Sequence, residues 1–140
     1  MNPELVEPFL QYSVLSLGFD ETKGPPSFVF VFYELPLDHF PYRFPETAGF
    51  FITNGWVGGQ GEFQQRLTIQ GPEGKLLLDT GDRPFTLEDP KTPYLSVHFI
   101  QGIEFPAAGE HQVEIHLNGA PIMKYPFQVT QAPPDEDTTQ

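Results

Sequence analysis

From Glu62 to Ile69 polar and apolar residues alternate, with Phe63, Leu67 and Ile69 on one side and Glu62, Gln64, Arg66 and Thr68 on the other. Glu110–Leu117 repeats the pattern, setting His111, Val113, Ile115 and Leu117 against Glu110, Gln112, Glu114 and His116. A period of two is the mark of a strand with one buried and one wet face. Asn118-Gly119 follows at once, and this pair favours a two-residue hairpin turn with positive φ at both positions. The return segment Ile122–Thr130 turns Met123, Tyr125, Phe127 and Val129 inward and Pro126 outward. Pro126 has no N–H to give to a ladder, which predicts an edge or bulged strand.

Three other segments show no wet face. In Ser27–Leu35 (SFVFVFYEL), Phe28, Phe30 and Phe32 alternate with Val29, Val31 and Tyr33. Ala48–Trp56 and Phe9–Leu17 are apolar on both faces in the same way. These three strands are expected to share a sheet whose outer face is covered, either by the loop 36–47 or by a second copy across a two-fold axis. Shorter signals lie at Leu76–Asp79 and Pro84–Leu87, and Tyr94–Phe105 is long, with Gly102 predicting a bulge or bend. Many short strands without intervening helices predict an all-β, antiparallel, immunoglobulin-like β-sandwich of about seven to eight strands. Residues 9–130 form the single domain, 1–8 a loose lead, and 131–140 (QAPPDEDTTQ) a disordered acidic tail.

The 140 residues include 14 Phe, 16 Pro and 13 Gly. The prolines exclude long helices. The net charge of −12 argues against nucleic acid and against anionic membrane surfaces. With no cysteine, disulfides, thiolate catalysis and Cys-type zinc sites are excluded. The N-terminus lacks the basic segment of a signal peptide, and a cytoplasmic location follows as the default expectation.

The motifs Gly61-Glu62, Pro72-Glu73-Gly74-Lys75, and Leu117-Asn118-Gly119 through Pro126-Phe127-Gln128-Val129 resemble those of an uncharacterised bacterial family of small immunoglobulin-like sandwich domains. The resemblance lies mainly in the second half of the chain. It implies a fold and no activity.

Signatures of chemistry are few. His39, His98, His111 and His116 form no His-x-His pair, and His111 and His116 fall on opposite faces of one strand, although a cross-strand His98–His116 pair is open if their strands are neighbours. Asp79, Asp82, Glu88 and Asp89 sit in a loop that matches no calcium motif and reads as a solvated turn. No nucleophile elbow or phosphate loop is present. The chain therefore reads as a non-enzyme with no cofactor and no metal.

The least ordinary segment is His39-Phe40-Pro41-Tyr42-Arg43-Phe44-Pro45. Two readings stand. The loop folds back and plugs one end of the sandwich, or it forms an exposed aromatic patch for a partner or ligand. On the second reading Phe40, Tyr42, Arg43, Phe44 and Trp56 are the binding residues. The function that fits best is a self-associating or partner-binding module, with a homo-oligomer, and a dimer above all, expected. The alternative is a small-ligand or carbohydrate-binding domain using residues 39–45 and Trp56.

Overall fold

The computed structural model describes residues 5–22 and 24–133. It is all-β, with twelve strands: β1 (Phe9–Asp20), β2 (Ser27–Val31), β3 (Glu34–Leu37), β4 (Tyr42–Arg43), β5 (Gly49–Val57), β6 (Gly61–Gln70), β7 (Leu76–Asp79), β8 (Arg83–Leu87), β9 (Tyr94–Gln101), β10 (Glu104–Phe105), β11 (Gly109–Leu117) and β12 (Ala120–Gln131). They form three sheets. One is four-stranded in the order β2-β1-β5-β9, and one is a two-stranded ribbon of β10 and β4. The third is mixed and runs β3-β12-β11-β6-β7, with β8 also on β6.

The two strictly alternating segments become β6 and β11, antiparallel neighbours in the mixed sheet. Phe63, Leu67, Ile69, Val113, Ile115 and Leu117 are all buried, as their period requires. They meet Leu15, Phe50, Ile52, Trp56 and Ile100 of the four-stranded sheet in one core. The Asn118-Gly119 turn closes β11 on β12 with φ of 49° and 84°, both positive as its sequence demands. Pro126 sits before the stretch 128–131 where β3 pairs with β12, so its missing N–H falls on a locally free edge.

Several expectations need correction. The strand count exceeds eight because 27–35 breaks into β2 and β3, Tyr94–Phe105 breaks at Gly102 (φ 67°), and the aromatic loop supplies β4. The sheets are not wholly antiparallel, since β3 runs parallel to β12. The lead is not loose over its described residues: Val6 exchanges backbone hydrogen bonds of 2.9 and 2.8 Å with Gln60, and Pro8 is buried. Gln131 still belongs to β12, and the Ala132 N–H donates to Leu37 O at 2.8 Å. The rest of the expected tail, 134–140, lies outside the described residues.

Two of the segments without a wet face and the first part of the third share one sheet, as β1, β5 and β2, whereas the end of Ser27–Leu35 passes to the mixed sheet as β3. The outer face of the four-stranded sheet is covered in part by the chain itself. Beyond Ser16, β1 leaves β5 and pairs only with β2. This end of the hairpin bends back over the sheet, bringing Phe28 to 5.9 Å from Tyr12 and Phe19 to 6.5 Å from Phe51 between ring centroids. Tyr12 in turn lies on Gly55, where a Cβ would come within 2.4 Å of its ring. Under this cover Thr53 and Ser16, both on the outer face, are fully buried.

Candidate functional site

The aromatic loop is a plug. Tyr42 and Phe44 meet edge-to-face at 5.2 Å, and Phe44 packs on Phe50 at 5.9 Å and Phe105 at 6.2 Å. The backbone is tied down as well, by the β4–β10 ribbon and by the Phe44 N–H donating to Ile103 O at 2.9 Å. Burying several aromatic rings stabilises the fold by about 1.5–3 kcal/mol each, which exposure would forfeit. Phe40, Tyr42 and Phe44 are half-buried against the core, and of the five candidates only Arg43 is exposed.

Trp56 is elsewhere. It is fully buried, packs tilted at 5.3 Å against Phe85, and its Nε1–H donates to Gln65 Oε1 at 3.3 Å. It stands six residues along β5 from Phe50, roughly 20 Å from the plug at the rise of a strand. Trp56 and the loop therefore do not converge, and Trp56 offers no ring face to a sugar. The sequence reading sets Trp56 among the binding residues, but the alternation of β5 turns it inward with Phe50 and Ile52.

A run of exposed apolar residues lies instead along β2 and just beyond it. Val31 is 60% exposed, Phe30 73% and Tyr33 81%, with Val29 and Leu17 beside them. β2 is an edge strand, with no strand on its other side among the described residues. Phe30 adopts φ 56°, a left-handed backbone that an aromatic residue seldom takes. This local turn breaks the alternation, so Phe28 covers the outer face, Phe30 projects to solvent and Phe32 packs on Phe50 at 5.7 Å in the core. No charged residue occurs from Ser27 to Tyr33 in a chain with 19 acids and 7 bases. The segment was conspicuous in sequence as two-sided, but nothing there announced the left-handed residue.

The outer face of the mixed sheet is polar. Arg66 pairs with Asp79 at 2.5 Å, and Glu114 lies 2.8 Å from His116. The Arg66 guanidinium, with the Gly81 N–H, pulls the Asp79 carboxyl down to about 2. Asp79 and Asp89 accept N–H bonds of 2.8 Å from Gly81 and Lys91, so the acidic loop satisfies its own turns. His98 and His116 stand on different sheets and do not pair. Among the described residues no three metal-ligating side chains come together. No helix there is long and apolar enough to cross a membrane.

His111 is buried between Phe105 and Phe127, at 5.3 and 5.4 Å, with Nδ1 2.9 Å from Gly109 O. Burial lowers its pKa below the ordinary 6.5 despite that carbonyl, and burial lowers His98 likewise. The unfolded chain thus takes up these protons first. Stability is fully present above pH 6.5 and falls as the pH drops from there toward the folded values. Urea midpoints measured between pH 7.5 and 5 should decline, and His111→Leu should flatten the decline. A midpoint independent of pH would refute the burial of these rings.

A family model covers residues 20–130, well over half of the chain. The chain belongs to a family of unknown function, DUF6941. The match takes in the β2 edge, the aromatic plug and both alternating strands, and it begins inside β1. No curated protein matches this DUF6941 chain.

Proposed function

We propose that this chain is a non-catalytic, self-associating β-sandwich module of immunoglobulin-like build, joining a second copy along the free edge of β2. The build is supported by the way the early strands divide between sheets, β1 in the four-stranded sheet and β3 parallel to the last strand of the other. The observation that carries the association is Phe30, an aromatic side chain held out to solvent by a left-handed backbone on an uncharged edge strand. Free strand edges recruit strands, and most proteins blunt them with charge. Two copies meeting antiparallel at β2 make a self-complementary, two-fold contact in which Phe30, Val31 and Tyr33 leave water together.

Because Phe30 and Val31 are both exposed, glutamate at either position is compatible with the fold. Light scattering should give a dimer mass for wild type and a monomer mass for Phe30→Glu and Val31→Glu, with all three folded by circular dichroism. A wild type that stays monomeric at high concentration ends this reading. In that event a second one gains: a cleft of about 300 Å³, lined by Tyr12, Pro26, Tyr94 and Leu95 where the bent hairpin meets the sheet, suits a small apolar ligand.

A further inference from the structure

The two sheets are joined through their core by a row of polar side chains. Ser13, Asn54 and Ser96 are register partners on β1, β5 and β9 and share the inner face. The opposite sheet reaches both ends of the row. Tyr125 OH lies 2.7 Å from Ser13 Oγ, and Gln65 Nε2 donates to Ser96 Oγ at 2.9 Å while its Oε1 accepts from Trp56. Ser96 is also 2.9 Å from His98 Nε2. Asn54, at the centre, is fully buried, and neither its Oδ1 nor its Nδ2 has a hydrogen-bond partner among the described residues. Buried carboxamides left unpaired are rare, because the lost hydration is not returned. A leucine, with the same branched outline and no polar atoms, would carry no such unmet groups.

We propose that Asn54 anchors an internal hydration site, one water molecule held between the sheets by its carboxamide and the Ser13–Tyr125 hydroxyl pair. The chemistry of the donor set selects water. The carboxamide has two N–H donors and one acceptor uncommitted. Ser13 and Tyr125 share one hydrogen bond, which leaves one O–H and lone pairs over. Burial pushes Tyr125 up to about 12, so its oxygen is a neutral hydroxyl. Water, with two donors and two acceptors, completes such a set and needs only two to four partners. A hard cation wants several anionic oxygens, and Ser13, Asn54, Ser96, Gln65 and Tyr125 supply none. An entry path is at hand: a cleft of about 350 Å³ is lined by Leu10 and Met123, and Met123 stands two residues before Tyr125 on the same face of β12.

The test is a high-resolution crystal structure of wild type, with water-oxygen magnetic relaxation dispersion on wild type, Asn54→Leu and Ser13→Ala. Density for a water within hydrogen-bonding reach of Asn54 is expected, and loss of one long-lived water in Asn54→Leu. In Ser13→Ala the site keeps its anchor and loses a partner, so a shorter residence time is expected. The crystal result does not depend on either variant folding. A carboxamide turned onto Ser13 or Ser96 with no solvent peak overturns the proposal, as does a folded Asn54→Leu whose dispersion equals that of wild type.

Discussion

Gly49→Ala is expected to leave the protein unfolded or insoluble. A Cβ at this position would stand 1.8 Å from Ile100 O, 2.8 Å from Ile100 C and 3.0 Å from Gln101 Cα. All three are backbone atoms of the neighbouring strand, so no rotamer change relieves the clash. Room comes only from spreading β5 from β9, where Gly49 pairs with Gln101 and Phe50 with Ile100. β5 is an interior strand of its sheet and carries Phe50, Ile52 and Trp56, each fully buried. Displacing it disturbs the core together with the ladder. A small domain has about 5–15 kcal/mol of stability in all, and overpacking of this severity consumes a large part of it. Expression in the soluble fraction, circular dichroism and the urea midpoint report the outcome. A midpoint equal to wild type would show that the two strands do not approach so closely.

That constraint was invisible in the sequence, where Gly49 is one glycine of 13. What a sequence displays well is periodicity, and the elements read from period alone are those found: β6 and β11, with every inward residue buried, and the turn at Asn118-Gly119. That Phe9–Leu17, Ala48–Trp56 and the first part of Ser27–Leu35 share a sheet was legible from their two apolar faces, but the passage of 27–35 from one sheet to the other was not. What covers the outer face was not legible either. The residue pattern points to the loop 36–47 or a second copy, whereas the distal end of the β1–β2 hairpin lies over Tyr12 and Phe51. Gly18, two residues past Ser16, marks a place where a strand can bend, but a lone glycine gives neither the direction nor the extent of the fold-back.

The candidate site divides along the same line. Residue type and clustering made the loop 39–45 stand out, but exposure is a property of packing rather than of composition. Its rings found Phe50 and Phe105, and only the charge of Arg43 kept that side chain in water. Trp56 was separated from the loop by strand length, a distance that spacing along β5 does contain. Phe30 was misplaced because strict alternation put it with Phe28 and Phe32, and one left-handed residue cancels alternation locally.

Phe50→Ala tests whether the loop is structural. Phe50 is fully buried and is the floor on which the plug rests, 5.9 Å from Phe44, 5.7 Å from Phe32 and 6.3 Å from Phe105. Phe-to-Ala changes in a core cost about 3–5 kcal/mol, and the rings around this one cannot close the gap without leaving their own partners. A fall of that size in unfolding free energy is expected, from a lower urea midpoint at an unchanged slope. Local effects should follow the contacts. Amide exchange at Phe44, whose N–H bonds Ile103 O, should speed up by more than that of Val113 or Ile115 in β11. Arg43→Ala supplies the contrast, because an exposed side chain with few contacts should move stability by no more than about 0.5 kcal/mol. If Phe50→Ala instead loses less than about 1 kcal/mol, with exchange at Phe44 unchanged, the loop is not seated on β5. The aromatic segment would then regain its standing as a surface for a partner.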